Sequence, residues 1–149
     1  MAGGACAVLA SAELVKRSLE IGEETLPVIV STKDVIAQAV YMRDKTREHL
    51  MAIYLNARNE MIYKKPMFIG TLNANLVHPR EIFQEALKQN AASVILVHNH
   101  PSGDAEPSED DLTITKRIVE AGKTMGIDVL DHVIITKNKP FSFKENKLI

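Results

Sequence analysis

The segment His98-Asn99-His100-Pro101-Ser102-Gly103, with Ser108 and Asp111 after it, constrains the fold more than any other part of the chain. It reads His-x-His, seven residues, Ser, two residues, Asp. Ala92 to Val97 is a short apolar run, best read as a buried strand. Residues two apart in an extended chain face the same side, so His98 and His100 stand together where that strand gives out. Pro101 stops further pairing. Ser108 reads as a helix N-cap, which makes Glu109, Asp110 and Asp111 the first three helical positions. The fold must bring that helix start back to the strand end. Asp111 then meets both imidazoles, while Asp110 points about 100° away around the helix.

Two imidazoles and one carboxylate at this spacing can hold one zinc ion and leave a coordination position for water. No thiolate lies in the set to close the site, and the donor types favour zinc among the common ions. The same letters have a second reading. Ser-x-x-Asp before an apolar helix is nearly a capping box and would stabilise the helix with no metal. Two histidines at strand spacing, a Pro/Gly loop and a carboxylate of the right reach would rarely coincide for structural reasons alone.

Along the chain, Ala5 to Ile21 has helical periodicity and Gly22 is placed to end it. Leu26 to Val30 is extended, with Pro27 barring a central strand, and Ser31 or Thr32 caps a helix to about Arg43. His49 to Ala57 and Glu60 to Leu72 form a long hairpin around Asn56-Ala57-Arg58-Asn59. Pro79 starts a helix to about Asn90. After the strand and motif, a helix runs from Ser108 to about Met125, Gly126 breaks it, and Ile127 to Thr136 and Phe141 to Phe143 are extended. Mixed hairpin and crossover connections predict an α/β (mixed α+β) fold with a central sheet flanked by helices.

With 149 residues, one domain is expected. A hydrophobic share of 46% and a charged share of 25% are enough for one core. The formal net charge of −1, with pI ≈ 6.5, predicts no strong attraction to a nucleic-acid backbone or an anionic membrane. Cys6 is the only cysteine, and the first residues lack a basic and then apolar leader. A cytoplasmic protein without a membrane span is therefore expected.

The motif resembles that of the JAMM (MPN+) family of zinc isopeptidases, with no departure from it. The stretch from about Ser31 to Ile149 is similar to the RadC-like branch of that family. Gly70-Thr71-Leu72, Val77-His78-Pro79-Arg80-Glu81, the Pro-Ser-Gly after His100, and Leu130-Asp131-His132 carry the likeness. The resemblance implies an MPN/JAB-like fold, with a cytidine-deaminase-like mixed sheet. It also implies one Zn²⁺ per chain on His98, His100 and Asp111. Glu48 stands before an apolar run and matches the family's general base, with Glu60 and Glu81 as rivals. Ser108 matches the serine that stabilises an oxyanion. Residues 1–25 read as a possible remnant of a helix-hairpin-helix region in front of a catalytic domain over residues 26–149. Asp131 and His132 are a candidate pair for orienting a ligand, with an ordinary buried hydrogen bond as the equal alternative. The implied reaction is amide or isopeptide hydrolysis of a peptide or protein substrate, and a homo-oligomer is compatible with the chain. A DNA-repair-associated nuclease or DNA-binding accessory is the alternative. The letters His98-Asn99-His100 do not match an HNH nuclease, whose residues are spread over a ββα unit.

Overall fold

The computed structural model describes residues 3–20 and 25–149. Helix α1 covers Gly3–Glu20, so Ile21 and the expected stop at Gly22 lie outside the described residues. Val8, Leu9, Leu14 and Val15 on α1 are all exposed. Residues 25–30 are an extended stretch in which Val28 bridges to Glu60, and Pro27 keeps it from becoming a longer strand. Helix α2, Thr32–Ala39, starts at a full capping box between Ser31 and Asp34. The expected single helix tightens into a 3₁₀ turn over Val40–Asp44.

Strands β1 (His49–Leu55) and β2 (Met61–Ile69) make the predicted hairpin. The second arm ends at Ile69 rather than near Leu72, because Gly70 at φ 136° turns the chain away. Helix α3, Pro79–Lys88, leads to β3, Ser93–Asn99. Helix α4, Glu109–Met125, crosses over to β4, Asp128–Ile135, which lies parallel to β3. A short β5, Phe141–Ser142, closes the sheet in the order β2-β1-β3-β4-β5.

Alternation along the central strands sorts the core into two layers. Leu50, Ala52, Tyr54, Val94 and Leu96 pack on Ile82, Phe83 and Ala86 of α3 and on Ile114 and Ile118 of α4. Met51, Ile53, Leu55, Ile95, Val97, Val133 and Ile135 pack on Val35 and Ala39 of α2 and on Met42. β1 and β3 are buried on both faces, which explains why they read as unbroken apolar runs. Helix α4 can lie close to β4 because Gly122 has no side chain. A Cβ there would stand 2.5 Å from the Ile127 carbonyl oxygen. With Gly122 held close to β4, the helix begins thirteen residues earlier, at Glu109, over the end of β3. Among the described residues no helix is long and apolar enough to cross a membrane.

Candidate metal centre

The parallel pairing of β3 and β4 requires a crossover, and α4 supplies it, so its first turn returns to the carboxyl end of β3. That topology delivers Asp111 to the histidines. His98 Nε2 is 3.2 Å from Asp111 Oδ1, and His100 Nε2 is 3.4 Å from Asp111 Oδ2. The two Nε2 atoms stand 2.7 Å apart. His98 is wholly buried and Asp111 nearly so, at 0% and 1% exposure. His100 is half-buried on the solvent side. Together these three form a group with one donor atom from each within 4.8 Å of the others.

The donor chemistry fits a metal. His100 Nδ1 is 2.7 Å from the Asp104 carbonyl, which can only accept, so the neutral ring carries its proton there and a lone pair on Nε2. That lone pair aims at the same point as His98 Nε2 and the carboxylate. The convergence of acceptors needs a cation or a proton among them.

Electrostatics agree with this arrangement. Burial opposes the charge on Asp111, yet bonds from His100, His98 and Ser108 hold its carboxyl far below the usual range. Burial pushes His98 below its ordinary value against the pull of Asp111. Burial works the same way on His100, but its contacts with Asp111 and the Asp104 carbonyl outweigh it and raise the value.

Ser108 makes the expected capping box. Its hydroxyl accepts from the Asp111 N–H at 3.1 Å and donates to Asp111 Oδ2 at 2.7 Å, and its own N–H donates to Oδ2 at 2.7 Å. The capping and metal readings of Ser108 and Asp111 therefore meet in one piece of geometry: the cap orients the carboxylate that faces the imidazoles.

The β1–β3 register ends at the pair Leu50 and His98, and Glu48 lies two residues before Leu50. Glu48 Oε2 accepts from the Leu72 N–H at 2.5 Å, and its negative charge favours the protonated forms of both His98 and His100. Glu48 shares an open cleft with Arg47, Gly70, Thr71, Pro101 and Ser102. Glu60 sits at the other end of β1, bonded to Asn56 and Arg58. Glu81 is exposed in the first turn of α3.

Two residues were not legible as contributors. Asn99, buried between the histidines in sequence, faces the opposite side of β3. Its Oδ1 accepts from the His49 N–H at 2.7 Å and its Nδ2 donates to the Arg47 carbonyl at 3.1 Å. It thus clamps the backbone on both sides of Glu48. Thr115, one turn after Asp111, bonds the Asp111 carbonyl at 2.6 Å. The only sequence signal for Asn99 was a polar residue at an inward strand position. The Asp131-His132 pair comes apart. His132 reaches His98 Nδ1 at 2.7 Å. The Asp131 carboxylate instead accepts from Ser142 Oγ at 2.6 Å, from the Lys144 N–H at 3.0 Å and from the His132 backbone N–H.

Known proteins similar to this chain place it in a family. A sequence model of the family described as RadC-like JAB domain matches residues 29–148. A UPF0758 protein of Geobacillus kaustophilus is 50% identical over 139 residues, covering 93% of this chain and 62% of the relative. UPF0758 proteins of Geobacillus thermodenitrificans and Desulforamulus reducens are 49% and 48% identical, over 93% and 95% of the chain and 62% and 63% of their own lengths. The chain thus spans somewhat under two thirds of the curated relatives it matches.

Zinc binding should depend on pH with a definite sign. A proton on His100 Nε2 competes with a metal, and its raised pKa means that competition begins above the ordinary histidine value. Apparent zinc affinity, measured against a chelator of known pH behaviour, should fall by about tenfold per pH unit below that point and level off above it. Affinity that is flat from pH 8 to pH 5.5 would contradict this assignment.

Proposed function

The chain belongs to the RadC-like JAB domain family, and on that premise we propose that it is a zinc-dependent hydrolase of amide or isopeptide bonds. His98, His100 and Asp111 are the ligands of one Zn²⁺ per chain, and the substrate is a peptide or protein acted on in the cytoplasm. The observation that carries the reading is the convergence of two imidazole nitrogens and one buried carboxylate, with the negative charge of Glu48 acting on both rings. Zinc held there supplies a Lewis acid that makes water nucleophilic near neutral pH and draws charge from a scissile carbonyl.

The chain's own residues account for the proton movements. Glu48 takes a proton from the attacking water and gives it to the departing amine as the C–N bond breaks, so one water is consumed for each carboxylic acid and amine formed, and the acid's proton passes on to give carboxylate and ammonium. The Leu72 N–H fixes one oxygen of Glu48 and sets the plane of its carboxylate. Asn99 holds the backbone on either side, so the base sits on a braced segment rather than a loose strand end.

Ser108 has a hydroxyl proton that can turn from Asp111 Oδ2 to a developing oxyanion. Its backbone N–H keeps Oδ2 hydrogen-bonded meanwhile, so Asp111 is not released by the turn. A donor so placed contributes on the order of 2 to 4 kcal/mol in the transition state.

Zinc-loaded protein should cleave some members of a panel of linear and lysine-isopeptide-linked fluorogenic peptides. Glu48→Gln should keep the zinc and lower the rate by about a hundred- to ten-thousandfold, since an amide cannot accept the proton. Wild-type turnover by Glu48→Gln, or cleavage that persists after the metal is removed, would overturn the reading.

Ser108→Ala should lower the denaturation free energy by about 1 kcal/mol through loss of the cap. It should also lower kcat by about a hundredfold or more with zinc retained. A variant that melts lower but turns over normally would leave Ser108 as a helix cap alone.

A further inference from the structure

A chain of polar side chains runs from the candidate ligands into the core. His98 Nδ1 is 2.7 Å from His132 Nε2, and His132 Nδ1 is 2.6 Å from Thr115 Oγ1. Thr115 Oγ1 is 2.6 Å from the Asp111 carbonyl oxygen. His98 and His132 have no exposure and Thr115 has 2%. Phe143 stacks on the His132 ring, with centroids 4.7 Å apart and planes 16° from parallel, and fixes its orientation. Buried polar atoms without partners are costly, so the proton arrangement here is restricted.

All three contacts are hydrogen bonds in only one arrangement of neutral groups. A carbonyl oxygen only accepts, so the single Thr115 hydroxyl proton goes to Asp111. Thr115 Oγ1 must then accept from His132, which places the His132 proton on Nδ1 and leaves a lone pair on Nε2. That lone pair accepts from His98 Nδ1–H. His98 is left with its own lone pair on Nε2, facing His100 and Asp111. The reversed arrangement would leave the Thr115–Asp111 contact without a proton. It would also put a hydrogen on His98 Nε2, where a ligand needs a lone pair.

We propose that His132 and Thr115 are positioning residues that lock His98 in its Nδ1–H form, so that Nε2 is preset as a metal donor before any metal arrives. The chain begins at the backbone carbonyl of Asp111 and ends at His98, so it ties two of the three ligands together beneath the site. Residues from β3, β4 and α4 take part, and their relative placement becomes a condition for a competent ligand. The metal-binding half of this inference rests on the proposed zinc site, whereas the proton arrangement does not.

The test reads ring-nitrogen shifts of His98 by long-range ¹H–¹⁵N correlation in metal-free ¹⁵N-labelled protein, together with the zinc dissociation constant from chelator competition. Wild type should show His98 protonated on Nδ1. Thr115→Val keeps the shape and removes the hydroxyl; it should mix the two His98 forms and weaken zinc binding by roughly tenfold to a hundredfold. His132→Phe should do the same or more. His132→Gln, whose amide can accept from His98 and donate toward Thr115, should recover most of the affinity that His132→Phe loses. A metal-free wild type with the His98 proton on Nε2 would overturn the proposal. Thr115→Val with unchanged His98 shifts and unchanged zinc affinity would overturn it as well, even if neither His132 variant folds. Undiminished zinc binding by His98→Ala would instead overturn the zinc site, while the shifts would still decide the proton arrangement.

Discussion

Two imidazole nitrogens 2.7 Å apart, both facing one buried carboxylate, are the arrangement around which the rest of this domain is organised. Lone pairs and a negative charge brought so close repel unless a cation or proton lies among them. The domain holds them there by rigid means. The end of β3 supplies His98, the next residue beyond it, His100, is tied by its N–H to the Ile135 carbonyl, the α4 crossover supplies Asp111, and Gly122 lets that helix sit close to β4. Each support is a backbone feature or a buried contact rather than a flexible loop. Such rigidity keeps a site from collapsing onto itself when empty.

The helix start does two tasks with one pair of residues. Three acidic side chains crowd the first turn of α4, where the helix dipole favours negative charge. Only Asp111 of these is buried, and Ser108 turns it by bonding Oδ2 from both its hydroxyl and its backbone N–H. Capping and ligand orientation are therefore the same geometry. The mutational signatures of stability and function will overlap at these two positions and must be separated by independent readouts.

Much of this was legible in the chain because it is local. Strand spacing put His98 and His100 on one side, Ser108 and Asp111 spelled a cap, and apolar runs marked β1 and β3. The features that sequence does not reveal are those whose partners lie far away along the chain. Asn99 looks like an idle residue between two histidines until β1 is laid beside it, when it clamps Arg47 and His49. Of Asp131 and His132, only the His132 side chain reaches a candidate ligand, because adjacent strand side chains face opposite sides and Asp131 turns to Ser142 and Lys144. The second hairpin arm stops at Ile69, three residues short of Leu72, because the turn at Gly70 depends on a positive φ, which sequence alone allows but does not require.

The central claim is that His98, His100 and Asp111 bind zinc with a place left for water. X-ray absorption at the zinc edge, on protein loaded with one equivalent, tests it most directly. Zinc on these three residues and one water should show four light donors at about 2.0–2.1 Å, two of them with the multiple-scattering signature of imidazole. A sulfur scatterer near 2.3 Å, which would have to come from Cys6, would contradict it, as would a zinc shell with fewer than two imidazoles.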